Sequence, residues 1–400
     1  MKRYKILSIL LISIIFITQC TSAMAYDRGV RAMADPNPGY GAGAYLGTDP
    51  IGGDKGYSQI FSQDDADYVV DSPTSLINAL NNAEPGEIVF VAGDINLTGY
   101  SPITIPEGVI LAGDRGDWKG LPEGAMIYDD NRGNWQPFFW VETGARITGL
   151  RIRGPYGDID EEEEYPNYQA IGIFVDRPNV EIDNCEIFNW PNAGIILCED
   201  QDNADNFYAG AINTYIHHNT IHHCQLTGLG YGIALGLFEY SVSNPRYMGA
   251  VTALIEANLF FKCRHVVASN GNIGKEYEFC YNIISQVGES QYSHMIDVHG
   301  GYNRRGSGDN TYIANSWVSI HHNTFMPTDQ SAEKHAVDIR GIPIKGGLIY
   351  HNWIWNQDPD MGIWQYHCFG EPGNLYVWNN RYGISDPPNI SDYYHYVGDW

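Results

Sequence analysis

Residues 294–341 hold three phrases that set the reading of the whole chain: HMIDVHG (294–300), VSIHHNTF (318–325) and HAVDIRG (335–341). The first and third match position for position, with His294 over His335, Asp297 over Asp338 and His299 over Arg340. Upstream, HVVASNG (265–271) fits the same frame and puts Ala268 and Asn270 in the polar columns. Along a strand, successive side chains point to opposite faces. Ile296, Val298, Val337 and Ile339 therefore share one face, and Asp297, His299, Asp338 and Arg340 share the other. Parallel strands stack about 4.8 Å apart, so the polar set gathers into one ionisable patch on an outer wall.

The middle phrase belongs to a longer register, aliphatic-x-x-Asn-x-aliphatic or aromatic. It runs Ile216-x-x-Asn219, Ile255-x-x-Asn258, Phe279-x-x-Asn282, Ile320-x-x-Asn323, Ile349-x-x-Asn352 and Val377-x-x-Asn380. Ile182-x-x-Cys185 and Ile147-x-x-Leu150 keep the frame with another residue in the middle slot. The interval between middle residues varies from 24 (Asn258 to Asn282) to 41 (Asn282 to Asn323). So irregular a period fits coils of short strands with variable loops, and not a helical repeat. A buried Asn carries both donors and acceptors and can satisfy itself along such a stack, which makes these residues structural.

Working outward, residues 1–25 read as a signal peptide: MKRYK is basic, Ile6–Ile17 is apolar, and Ala23-Met24-Ala25 is a small-residue cleavage site. This predicts a secreted protein, extracellular or at the cell surface, with no membrane insertion after cleavage. The net charge of −25 argues against nucleic acid and anionic membranes as partners. A polyanionic substrate would need local His, Arg or a bound cation to reverse the sign. Aromatics make up 13% of the chain, with 28 Tyr, a supply of flat faces for sugar rings beyond what fills the core. The cysteines after position 25 show no CxxC pair or metal-ligand spacing, so no structural zinc site is expected. Cys224 and Cys263 each lie five residues past a ladder Asn, which predicts that they stack on adjacent coils.

Residues 26–70, rich in Gly, Asp, Tyr and Pro, read as an extended N-terminal arm. Ser72-Pro73 opens a short helix reaching about Ala83, with Leu76, Ile77, Leu80 and Ala83 as its apolar face. Such a helix covers the open end of a solenoid. The expected architecture is all-β, a solenoid of about ten coils over residues 71–382 with a C-terminal cap at 383–400.

The ladder, the capping helix and the short-strand coils resemble the right-handed parallel β-helix of the pectate-lyase-like superfamily. The opening is similar to that of extracellular pectate lyases: Gly52-Gly53, then SLINALNNAEPGEIVFVAGDINL (75–97) and ITIPEGVILAG (103–113). Pectate lyases carry Arg-x-Pro-x-x-Arg one coil after an aliphatic-x-x-Asn-x-Phe strand, and the first Arg is their base. Here VSIHHNTF is followed by Arg340-Gly341-Ile342-Pro343-Ile344-Lys345, one residue longer before the proline. The resemblance thus implies a polysaccharide lyase with Arg340 in the place of the base. Calcium is the cofactor to consider, though no residue pattern specifies one.

On chemistry alone His299, an imidazole, is the better base, and Arg340 the better clamp for a uronate carboxylate. Asp297 and Asp338 complete the catalytic candidates; as a carboxylate pair they would instead suit a glycoside hydrolase. The alternative from another class is a non-catalytic carbohydrate-binding β-helix, in which the four residues form a charge-balanced ladder worth little at the surface. Substrate-binding candidates are Asn270, Arg264, His265, Lys345, Tyr302, Trp364 and Tyr366, with Trp364 and Tyr366 continuing the outward columns. The insertions 199–213, 237–251 and 300–316 precede ladder strands and bring Phe207, Tyr208, Tyr240, Tyr247 and Tyr302 beside the patch. The expected partner is an extended polysaccharide lying in a groove on a monomer.

Overall fold

The computed structural model describes residues 39–117, 123–132, 136–156, 170–200, 210–226, 229–236, 249–287, 294–300, 313–326, 335–356, 359–365 and 374–383. The segment 1–25 expected to be a signal peptide, the segment after Gly383, and Phe207, Tyr208, Tyr240, Tyr247, Tyr302 and Tyr366 lie outside these residues.

The fold is a right-handed parallel β-helix. Within the described residues thirty short strands form sheets of eleven, ten and nine strands; the first, Tyr68–Val70, pairs with the second, Ile88–Val91, and from there on pairing strands are three apart in chain order. One coil shows the pattern: Glu181–Asp183 lies in the eleven-stranded sheet, Glu186–Phe188 in the ten-stranded sheet and Ala193–Leu197 in the nine-stranded sheet. Register is held by the inward residues. Ile147, Ile182, Ile216, Ile255, Phe279, Ile320 and Ile349 are successive Cα partners, and all are fully buried. A slip of one residue would turn this whole line of apolar side chains outward.

The corner between the eleven- and ten-stranded sheets carries the asparagine ladder. Asn219 Nδ2 donates to Ile182 O at 2.8 Å and to Asn258 Oδ1 at 3.0 Å, and the Asn219 N–H donates to the same oxygen at 2.9 Å. The pattern repeats through Asn282, Asn323 and Asn352 to Asn380. The residue just before each ladder position has φ between 50° and 56° (His218, Ala257, Tyr281, His322, His351 and Asn379). So tight a left-handed corner is unfavourable for L-residues, and the side-chain ladder supplies the hydrogen bonds that hold it. Cys224 and Cys263 adjoin on neighbouring coils, with the thiols hydrogen-bonded and not oxidised.

The helix Pro73–Asn82 closes the first coil; the Ser72 hydroxyl accepts from the Ser75 N–H, and Leu76 and Leu80 are buried in the common core. Residues 40–61 run along the outside of the ladder corner. Tyr40 lies over Arg381 and His351, the Ala42 N–H donates to Thr324 Oγ1, and the Tyr45 hydroxyl meets His218 Nε2 at 2.9 Å. Gly53 (φ 73°) presses so close that a Cβ would lie 2.2 Å from the His218 carbonyl oxygen, so only glycine fits. Further on, the Tyr57 hydroxyl donates to Asp183 Oδ2 at 2.8 Å, and Arg146 sits over Phe61.

Candidate active site

The strands Ile296–Val298 and Val337–Ile339 pair in register within the nine-stranded sheet, Asp297 opposite Asp338. Ile296, Val298, Val337 and Ile339 fill the core, so both aspartates point outward. Their column reads Ala268, Asp297, Asp338, Trp364 along successive coils. A second column, just past the strand ends, holds Asn270, His299 and Arg340; the His299 N–H donates to Ser269 O and the Arg340 N–H to Val298 O. At the strand starts the rings of Tyr231, His265, His294 and His335 stack with centroids 5.7, 6.1 and 5.0 Å apart, and the His335 ring meets Trp364 edge-on at 4.6 Å.

Asp297 is the hub. Its Oδ2 accepts from Arg340 Nη2 at 2.6 Å and faces His299 Nε2 at 3.2 Å and His265 Nε2 at 3.4 Å. Burial opposes its ionisation, but His299, His265 and Arg340 together outweigh burial and hold its carboxyl far below the ordinary carboxylate range. Asp338 receives less help: Arg340 Nε stands 3.4 Å and His294 Nε2 3.5 Å from its Oδ2. Burial, then the charge of Asp297, pushes it up to about 6. Two carboxylates on adjacent rungs thus differ widely because one guanidinium serves both unequally. Burial also lowers His265 to about 3 and His294 to about 4, so both imidazoles are neutral near pH 7.

The patch is an outward one, yet it does not have the exposure expected of surface ion pairs. Asp297 is 0% exposed and the Asp338 side chain 4%, whereas the side chains of His299 and Arg340 are 34% and 36% exposed. The alternation of a strand says which face a residue takes, not whether something else covers that face. The expectation that these pairs are worth little at the surface is therefore corrected: the carboxylates are buried.

The remaining candidates divide. Trp364 is 43% exposed beside His335 and Asp338, a platform at the rim. Arg264 is half-buried and hydrogen-bonds the Tyr231 hydroxyl. His265 is wholly buried beneath Asp297, with Nδ1 2.6 Å from His294 O. Asn270 is buried; its Oδ1 accepts from the Asn272 N–H at 3.1 Å, and its amide packs on Gly236, where a Cβ would lie 2.0 Å away. Lys345 pairs with Glu276 of the eleven-stranded sheet.

Two features escaped the sequence reading. Tyr231 stacks on His265, and the alignment of YGIALG (231–236) with HVVASN (265–270) could have placed it. Lys275, 0% exposed, donates from Nζ to Glu199 and to Gly249 O, while the Cys198 thiol donates to Glu199 Oε2 at 3.0 Å. No local pattern signals that buried pair, because its members lie 76 residues apart.

Calcium needs six to eight oxygen ligands. Here the oxygens of Asp297 and Asp338 are shared with one guanidinium and several imidazoles, and the residues do not fit it. His294, His335 and Asp338 form a cluster of metal-ligand types, but Arg340 already supplies the positive charge there. The cluster of Glu181, Asp183 and His217 likewise holds Arg146, 2.7 Å from Asp183 Oδ1.

No protein-family model and no curated protein match this sequence. Among solved structures, an alginate lyase from Paenibacillus sp. str. FPU-7 superposes with a TM-score of 0.51 at 15% identity, over 78% of this chain and 94% of that one. The catalytic unit of a thermostable GH87 α-1,3-glucanase from Streptomyces thermodiastaticus strain HF3-3 gives 0.35 at 13% identity, over 82% and 70%. The PL6 family alginate lyase AlyGC gives 0.32 at 12% identity, over 80% and 52%. The first likeness is one of fold, the parallel β-helix.

Proposed function

We propose that the protein is a polysaccharide lyase that cleaves a uronate-containing polymer by β-elimination at the outer face of the nine-stranded sheet. The observation that carries this reading is the order of exposure at the patch. An elimination needs an accessible base and an accessible cation for the uronate carboxylate, and His299 and Arg340 are the two open groups. A glycosidase needs two carboxyls that reach the sugar, and Asp297 is sealed off.

In the reaction, Arg340 clamps the substrate carboxylate and stabilises the charge that develops on it. His299 takes the proton from the carbon bearing that carboxylate. The electron pair forms the C4–C5 double bond, the C4–O bond breaks, and the departing oxygen takes a proton from solvent. Asp297 touches no substrate; it orients His299 and Arg340 from beneath and favours the imidazolium that proton transfer creates. Trp364 offers a face for a neighbouring sugar ring. An alginate lyase is built on the same fold, in keeping with this reading. Residues 1–25 would deliver the enzyme outside the cell.

The test is a panel of uronate and neutral polysaccharides, followed for unsaturated-product absorbance and for reducing ends together. Absorbance with reducing ends is the expected result on a uronate polymer, lost in Arg340→Lys and His299→Ala. Reducing ends without absorbance would make it a hydrolase, and binding without either would make it a binding protein.

A further inference from the structure

Away from the active site, His217, His222 and His321 repeat one arrangement. Each faces a glutamate of the preceding coil through Nε2: Glu181 at 3.1 Å, Glu186 at 3.2 Å and Glu278 at 2.8 Å. Each also meets the next histidine Nδ1 to Nδ1, at 2.8, 2.6 and 2.8 Å. Two of the three acidic groups are neutralised. Arg146 lies 3.5 Å from Glu181 and Arg151 lies 2.6 Å from Glu186.

The third has no such cation among the described residues. Glu278 pairs with His321 alone. Cys280, the Cα partner of His321, is buried, and its thiol has no hydrogen-bond partner among the described residues. On its other side Cys280 faces Glu256, whose side chain accepts from the Tyr215 hydroxyl at 2.5 Å. Two carboxylates, a thiol and an imidazole therefore share a site from which the arginine of the sister sites is missing. A carboxylate oxygen of Glu278, the Cys280 sulfur and a ring nitrogen of His321 lie within 4.8 Å of one another.

We propose that Glu278, Cys280 and His321 bind a divalent zinc-type metal ion that pins two adjacent coils together. One sulfur, one nitrogen and one oxygen donor suit zinc, whereas calcium takes oxygen alone. Zinc bonds of about 2.0–2.3 Å bring such ligands within roughly 3.3–3.8 Å of each other. Glu278, whose side chain is 29% exposed, can swing to close that gap and leaves the fourth position to water.

Binding releases the thiol proton of Cys280 to solvent and takes the lone pair of His321 Nε2. His321 must then carry its proton on Nδ1 and donate it to His322 Nδ1. His322 in turn presents Nε2 to His351 Nδ1, 3.3 Å away. The histidine pair is thus a ready outer partner for a metal-bound imidazole. Residues 278, 280 and 321 come from two coils, and that is why no CxxC-like spacing announces the site.

The test uses the whole protein, stripped with a chelator and then titrated separately with Zn²⁺, Co²⁺ and Ca²⁺. Elemental analysis should give one zinc per chain, with a raised melting temperature and no comparable effect of calcium. The cobalt form should show a thiolate-to-cobalt charge-transfer band in the near ultraviolet. Cys280→Ser should abolish that band, and the mild surface change Glu278→Gln should weaken zinc binding tenfold or more. If Cys280→Ser fails to fold, the band in the wild type decides the matter. Failure to bind zinc, a cobalt spectrum without the thiolate band, or equal binding by Cys280→Ser would each overturn the proposal.

Discussion

Asp297 and Asp338 are the same residue type on adjacent rungs, and the structure predicts that their replacement by Asn has opposite effects on stability. At neutral pH the Asp297 carboxylate, itself fully buried, is held by Arg340 at 2.6 Å with His299 and the buried His265 beside it, while the Arg340 and His299 side chains are about a third exposed. Removing one partner from a fully buried charge pair costs about 3–5 kcal/mol, and because Arg340 is over a third exposed and keeps part of its hydration the cost here is about 2–4 kcal/mol. Asn keeps the shape, so no cavity adds to this, and relief of the repulsion on Asp338 returns about 1 kcal/mol. The expected net loss for Asp297→Asn is about 1–3 kcal/mol. Asp338 is raised from 3.8 to about 6, so its ionised form at pH 7 carries roughly 3 kcal/mol of unfavourable free energy. Asp338→Asn removes that term along with a weak 3.4 Å contact to Arg340, for an expected gain of about 1–2 kcal/mol. Denaturant midpoints at pH 7, read by circular dichroism, give both values. In lyase assays Asp297→Asn should also lower kcat by about 10²–10⁴-fold through loss of the positioned base. A shift of the same sign in the two variants, or one below 0.5 kcal/mol for Asp297→Asn, would refute the charge distribution described.

Asn323→Leu strips the side chain that donates to Phe279 O, His321 O and Asn352 Oδ1 and accepts twice from Asn282, at about 1 kcal/mol per bond. A loss of about 3–5 kcal/mol is expected by chemical denaturation, with a smaller one for Asn380→Leu at the ladder's end; equal losses would contradict the ladder's role. Burial lowers His265 to about 3 and His218 to about 4 from 6.5, so their contribution is complete above pH 6.5 and is lost as pH falls. At pH 5 each costs about 2 kcal/mol, His294, lowered to about 4, costs as much again, and Asp338 returns about 1, so stability should drop by about 4–5 kcal/mol between pH 7 and pH 5. A flat or rising denaturation midpoint over that range would count against it. Trp364→Ala should raise KM several-fold and leave kcat nearly unchanged if the indole only seats a sugar ring, and an equal fall in kcat would give it a different role.

The coil and the outward columns were legible because their causes are local. The aliphatic-x-x-Asn register marks a corner whose buried amide must pair along the stack, and alternation placed Asp297 over Asp338 and Trp364 beyond them. Burial of the two aspartates was not legible, since cover on an outer face comes from other parts of the chain. Arg340 and Lys345 sit five residues apart in one phrase, yet the chain turns between them and Lys345 joins Glu276 on another sheet. The doublets His217-His218, His222-His223 and His321-His322 were visible in the sequence. Their meaning depends on glutamates one coil away, which spacing alone does not reveal.

A solenoid behaves as a row of units coupled to nearest neighbours, and by itself it frays from its ends. Residues 40–61 change that connectivity, because one strap touches coils from Arg381 down to Arg146. Opening any coil beneath it means peeling the strap as well, so distant coils become answerable to one another. The order of assembly follows. Ala42 emerges from the ribosome 282 residues before its partner Thr324, so that end of the strap docks only once the coil carrying Thr324 has formed, whereas its Phe61 end finds Arg146 much earlier.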